Sequence, residues 1–252
     1  MRRIHKLSAV LFTALLLIAC RHDYIVKDSG GEYFAVEEKA GQHESTEQFI
    51  RPWRDSLDKT MNHIIGVAEN TLIVEYPEST LGNFVCDLML DTLLETDKTG
   101  MKNRDNCFCL MNAKGLRAPL PKGEIPLKRV YEIMPFENEA VIIKLDFSQV
   151  RVLLDKVAET GGQPVSSNIK MQIKDGKCTS FTVNGNNEER AFWVITSDYI
   201  ANGGDGFSML KEAKARENTG YKIRDMIKDA IVSQNATGKK VNAVKDGRVE
   251  KI

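Results

Sequence analysis

Apolar residues along this chain fall into two kinds of pattern, spaced every three or four positions or gathered in short unbroken runs. Phe49, Trp53, Leu57 and Met61 repeat every four residues with charges between them, which predicts a helix from Glu47. Val67 to Val74 reads as a strand. Leu81, Phe84, Val85, Leu88 and Met89 line one face of a second helix, with Thr80 as its N-cap. Cys107 to Met111 and Ala140 to Leu145 predict strands. A helix over 148–160 turns Val150, Leu153, Leu154 and Val157 inward. Ile169 to Ile173 and Cys178 to Val183 predict a hairpin around Lys174-Asp175-Gly176, followed by a buried strand at Phe192 to Thr196. A helix near 220–234 and a strand over 248–252 end the series. Helices and strands mix without strict alternation, so the expected class is α+β, a mixed sheet with packed helices.

The strand at Phe192 breaks into Asn202-Gly203-Gly204-Asp205-Gly206. Glycines at this density mean backbone conformations that side chains forbid, or a close approach to the backbone. Tyr199 precedes them and Asp205 lies among them. A ring and a carboxylate in one loop suit a flat heterocycle carrying hydroxyl groups, and a tight turn in which Asp205 caps its own backbone fits the same residues.

The first 19 residues join a basic start (Arg2, Arg3, His5, Lys6) to an apolar core of signal-peptide length. Leu17-Ile18-Ala19-Cys20 resembles the lipobox of bacterial lipoproteins, which implies cleavage before Cys20 and its lipidation. Arg21, where an Asp would favour the inner membrane, points to the outer one, facing the periplasm. Residues 20–46 are polar and read as a flexible tether, leaving 47–252 as one domain. Lys plus Arg and Asp plus Glu are equal at 35 each, which gives no support for nucleic-acid binding. Cys86, Cys107, Cys109 and Cys178 have no zinc-ligand spacing and read as buried thiols.

Four stretches in order resemble one family: Thr80-Leu81-Gly82-Asn83 with Asp87, Asn112 to Arg117 followed by Leu120, Pro121 and Gly123, Met134-Pro135-Phe136-Glu137-Asn138, and Tyr199 to Phe207. Together with the closing Asp246-Gly247-Arg248, they make residues 47–252 similar to the C-terminal, substrate-binding domain of the 5'-nucleotidase/UDP-sugar hydrolase group. The resemblance implies that Phe136 and Tyr199 sandwich a base, that Asp205 beside Gly203 and Gly204 accepts hydrogen bonds from ribose, and that Asn112 and Arg117 bind ribose and phosphate. Flat π-faces stack bases of any sequence, and a guanidinium fork suits phosphate.

Two departures bear on function. The family's two-metal phosphoesterase ligands, Asp-x-His, Gly-Asn-His-Glu/Asp and His-x-His, do not occur, and the four histidines (His5, His22, His43, His63) have no spacing for such a site. The expectation is therefore a chain with no catalytic residues, metal or cofactor of its own. Where the family often carries an Arg before its LGN motif, this chain has Glu75-Tyr76-Pro77-Glu78-Ser79, which favours a nucleoside over a nucleotide, although Lys114 adds one positive charge. Three functions fit: the specificity half of a split nucleotide hydrolase working with a separately encoded metallophosphoesterase, a non-catalytic envelope lipoprotein that binds nucleosides or nucleotides, and a structural remnant.

Overall fold

The computed structural model describes residues 41, 43–96, 100, 101, 104 and 106–252. The expected signal segment, Cys20 and most of the expected tether lie outside the described residues. Ile50–Ile252 form one compact unit, distinct from Met1–Phe49. The first helix among the described residues, α1 (Glu44–Met61), starts three residues before the expected position. None of its residues is buried, and Phe49, Trp53 and Leu57 are 74, 69 and 58% exposed.

The compact unit is built on a four-stranded mixed sheet. Its order is β2 (Cys107–Cys109), β7 (Phe192–Ser197), β4 (Glu139–Leu145), β8 (Ala215–Lys222), with β2 parallel to β7 and the other pairs antiparallel. Side chains alternate across a strand, and each face here has its own core. Cys107, Cys109, Ala140, Ile142 and Ile195 pack toward α2 (Thr80–Glu95), α3 (Leu127–Ile133) and α6 (Ile223–Ala236). Phe108, Val141, Ile143, Phe192 and Val194 pack toward α4 (Phe147–Glu159) and a second sheet of order β6 (Lys177–Val183), β5 (Ile169–Lys174), β9 (Val249–Lys251). Burial on both faces explains why β7 reads as an unbroken apolar run. On α4, Val150, Leu153, Leu154 and Val157 are fully buried, as their spacing predicts. Asp175 and Gly176 in the β5–β6 turn both take positive φ, 49° and 72°, the demand of a tight hairpin turn.

Local competition moves several boundaries. The strand expected over 67–74 is β1 (Ile64–Ala68), paired with β3 (Gly123–Pro126), and Leu72 keeps only an isolated bridge to Leu120. Ser79, not Thr80, caps α2: its hydroxyl accepts from the Gly82 N–H at 2.8 Å. Thr80 is the first helical residue, and its Oγ1 accepts from the Ile73 N–H. β8, Ala-Arg-Glu-Asn-Thr-Gly-Tyr-Lys, has no apolar run to announce it. It is an edge strand held by its ladder to β4. The four described cysteines are buried, as expected. Burial, with Cys86 alongside, pushes the Cys109 thiol well above its usual range.

A buried ion network ties the C-terminal end to α2. Arg248, 4% exposed at its side chain, donates to both Asp87 oxygens at 2.9 and 3.0 Å, to both Asp246 oxygens at 3.0 and 2.8 Å, and to the Val165 carbonyl at 3.0 Å. Glu78 accepts from the backbone N–H groups of Asp246 and Gly247 and from the Asn83 amide. Asn83 thus serves the entry of its own helix.

Candidate functional site

Strand register decides which loops meet. β2 and β7 run parallel, with Cys109 opposite Ile195, so the loops that follow them leave the same end of the sheet. β4 runs antiparallel, with Ala140 opposite Ser197, so the loop that precedes it arrives at that end. The three loops carry Asn112 to Arg117, Tyr199 to Gly206, and Phe136 to Asn138. They enclose a cavity of about 290 Å³ lined by Asn112, Lys114, Gly115, Arg117, Phe136, Asn138, Tyr199 and Asp205. All five polar and aromatic site residues expected from the sequence are in that set. Gly203 and Gly204 are not, and their part is to shape the loop.

Each loop is braced from outside the cavity. The Ala113 N–H donates to Gln163 Oε1 at 2.7 Å, and the Met111 N–H to the Pro164 carbonyl at 2.9 Å. Gly115 lets the loop close, because a Cβ there would lie 2.8 Å from Asn112 Oδ1. In the second loop Ser197 caps the short helix α5 (Asp198–Ala201), and Asp198 Oδ1 accepts from the N–H groups of Tyr199 and Glu139, joining β7's exit to β4's entry. The third loop is held by Arg224 from α6. Its guanidinium lies 4.4 Å from the Tyr131 ring centroid and donates to the Pro135 carbonyl and the Glu137 carboxylate, on either side of Phe136.

The glycine loop fulfils both expectations of its composition. Gly203 and Gly206 take positive φ, 87° and 82°, and so does Asp205 at 50°. Gly204 allows the close approach: an added Cβ would stand 2.4 Å from Tyr199 Cε1, 2.5 Å from Cζ and 2.7 Å from Cδ1. Similar distances to three consecutive ring atoms mean that Gly204 lies under the ring's face, not at its edge. Asp205 Oδ1 accepts from the Tyr199 hydroxyl at 3.1 Å and Oδ2 from Asn112 Nδ2 at 2.7 Å. Asn112 is 4% exposed, and its Oδ1 is buried with no partner. Phe136 and Tyr199 remain 43 and 45% exposed although large and aromatic. The arrangement pairs two accessible rings with one carboxylate acceptor and two cations, Lys114 and Arg117. Among the described residues no group of three or more His, Cys, Asp or Glu side chains is placed to hold a metal ion.

The sequence profile described as "5'-nucleotidase, C-terminal domain" matches residues 64–212. The chain belongs to the 5'-nucleotidase C-terminal domain family. It is similar to the trifunctional nucleotide phosphoesterase protein YfkN of Bacillus subtilis, 24% identical over 242 residues, covering 86% of this chain and 16% of that protein. It is also similar to the 5'-nucleotidase of Vibrio parahaemolyticus, 22% identical over 220 residues, covering 82% of this chain and 37% of that one. Among solved structures, the 5'-nucleotidase precursor of Thermus thermophilus superposes with a TM-score of 0.67 at 28% identity, over 83% of this chain and 42% of that chain. The chain therefore spans well under half the length of these relatives. The α+β class and the family resemblance both hold; three of the four stretches that carried the resemblance meet at the cavity, while Asn83 and Asp87 meet the closing Asp246-Gly247-Arg248 in the ion network instead.

Asn138, Gln163 and Arg224 were not singled out by the sequence. Asn138 had a signal, since it sits two residues after Phe136 in the Pro-Phe-Glu-Asn stretch. Gln163 and Arg224 act only through contacts between distant segments, which periodicity does not register.

Proposed function

We propose that this chain is the nucleoside- or nucleotide-recognition half of a split 5'-nucleotidase-type hydrolase, with a separately encoded metallophosphoesterase supplying two metals and the attacking water. The observation that carries the proposal is the cavity shared by Phe136, Tyr199, Asp205, Asn112 and Arg117. Half-exposed rings can stack a base, an acceptor-only carboxylate suits sugar hydroxyls, and Arg117 with Lys114 offers charge to a phosphate. A structural remnant would have packed both rings into the core, and their exposure speaks against it. The split is supported by the sequence, in which none of the two-metal ligand patterns occurs. A non-catalytic binding lipoprotein is the second reading, favoured by the Glu75-Tyr76-Pro77-Glu78-Ser79 stretch that replaces a phosphate-binding Arg.

Calorimetric titration of the purified chain with adenosine, AMP and UDP-glucose tests recognition. Saturable binding of at least one supports it, and no heat with any of them refutes it. The split reading expects no metal-dependent phosphate release by the chain alone and release once a lone metallophosphoesterase from the same genome is added. Binding with no partner-dependent release favours the second reading. The proposal also puts the protein at the outer membrane, lipid-anchored through Cys20 and facing the periplasm. Cys20→Ser should then leave the membrane fraction, and unchanged membrane association would overturn the anchor.

A further inference from the structure

The Tyr199 hydroxyl donates to the carboxylate a sugar would need. Among the described residues Asp205 is the one carboxylate lining the cavity, and both of its oxygens already have donors. Oδ2 is held by Asn112, a buried side chain fixed in a braced loop. Oδ1 is held by the Tyr199 phenol, on a ring that is 45% exposed. The two contacts therefore differ in how easily they yield. A carboxylate oxygen can accept two hydrogen bonds, so a vicinal diol either shares Oδ1 with the phenol or displaces it, and in both cases competes with a donor already in place. Displacement gains little, because a protein–protein hydrogen bond is lost for the protein–ligand bond made, and sharing gains less than a bond to a carboxylate with no donor on it.

We propose that the Tyr199 hydroxyl is a specificity-determining group that masks Asp205, so that the site discounts the ribose diol and recognises its ligand chiefly by the base. This rests on the nucleoside reading above and adds to it the ligand class: nucleosides with and without the 2',3'-diol, 2',3'-dideoxy forms included, held with similar affinity. The ring of Tyr199 stacks, and its oxygen sets how much the sugar counts.

The test is a two-by-two titration of the wild type and Tyr199→Phe with adenosine and 2',3'-dideoxyadenosine, each protein first checked by thermal unfolding. Tyr199→Phe keeps the ring and removes one oxygen, leaving Oδ1 open. The wild type should favour adenosine over the dideoxy form by less than about threefold, and Tyr199→Phe by about tenfold or more, a change of at least about 0.7 kcal/mol in the sugar's contribution. Altered ring mobility affects both ligands alike and cancels in the ratio. Asp205→Asn keeps the shape and removes the charged acceptor, and it should bring the ratio near one. An adenosine preference that is unchanged or smaller in Tyr199→Phe overturns the masking role while leaving the nucleoside reading intact. Failure of both ligands to bind either protein overturns both.

Discussion

Replacing Gly204 with alanine adds one methyl group where the ring of Tyr199 already lies. The new carbon would stand 2.4–2.7 Å from three ring atoms, far inside the carbon–carbon optimum of about 3.5–4.0 Å. Gly204 is not among the positive-φ glycines, so alanine itself is acceptable to the backbone there. The strain must go into the side chain, and the half-exposed ring can relieve it by swinging away. The swing breaks the Tyr199–Asp205 hydrogen bond and removes one stacking face from the cavity. On the stability side only an exposed hydrogen bond is lost, about 1 kcal/mol at most, or a fall in Tm of no more than about 4 °C for a domain of this size. On the binding side an aromatic face contributes about 1–3 kcal/mol, so adenosine should bind about 5- to 150-fold more weakly. Calorimetry with adenosine and thermal unfolding on the same preparation read both quantities. Unchanged affinity would show that the ring does not stack the ligand. A loss of about 3 kcal/mol of stability or more would show that the ring is a core element despite its exposure.

Phe136→Ala should weaken adenosine binding about ten- to a hundredfold with little change in Tm, since the ring is 43% exposed; a core role would cost about 3–5 kcal/mol instead. Arg224→Lys keeps the charge but loses the fork that grips Pro135 and Glu137, so adenosine affinity should fall severalfold while the Phe136 loop gains hydrogen-exchange rate. Arg248→Met removes the partner of Asp87 and Asp246, which stay about a third exposed, and should cost about 1.5–3 kcal/mol in urea unfolding. Burial raises the Asp246 carboxyl, but Arg248 and Lys170 outweigh it and hold the group below its ordinary range. Its stabilisation is therefore full above about pH 4 and lost as pH falls through the lower folded value, so the gap between Arg248→Met and wild type should narrow on acidification. Asp91 is shifted the other way, by burial first and then by the Asp87 and Glu95 carboxylates. The unfolded chain ionises it more readily, so Asp91 costs stability as pH rises above about 4. Asp91→Asn should raise Tm at pH 7 and leave it unchanged at pH 3.

Periodicity made the interior legible wherever one residue's spacing reports its own burial. The face of α4 and the β5–β6 hairpin follow their patterns, and the turn residues Asp175 and Gly176 take the conformations their types favour. It failed where stability is supplied by a neighbour. β8 carries a charged and polar sequence, and only its ladder to β4 makes it a strand. The segment after β1 has the composition of a strand, but its hydrogen bonds go to Leu120, Ser79 and Thr80, so the ladder stops at Ala68. At α2 two adjacent hydroxyl residues compete for the cap. Ser79 takes it, and Thr80 turns back to Ile73.

The site divides along the same line. The ring and carboxylate of Tyr199 and Asp205 were readable from the glycine loop itself, and Phe136, Asn112 and Arg117 only through the motifs that resemble the family's. Their convergence was not, since Asn112 and Asp205 meet across 93 residues and Arg224 grips Glu137 across 87. Those meetings follow from two registers, Cys109 against Ile195 and Ala140 against Ser197, which bring three loops to one sheet end. A one-residue slip in β4 would exchange its two faces, sending Ala140 and Ile142 into the wrong core and moving Phe136 and Asn138 along the sheet end. Both faces of β4 are lined by fully buried side chains, so the slip is opposed by two cores at once. The exposure of Phe136 and Tyr199 can be maintained because the register that places them is set elsewhere, by residues that never touch the cavity.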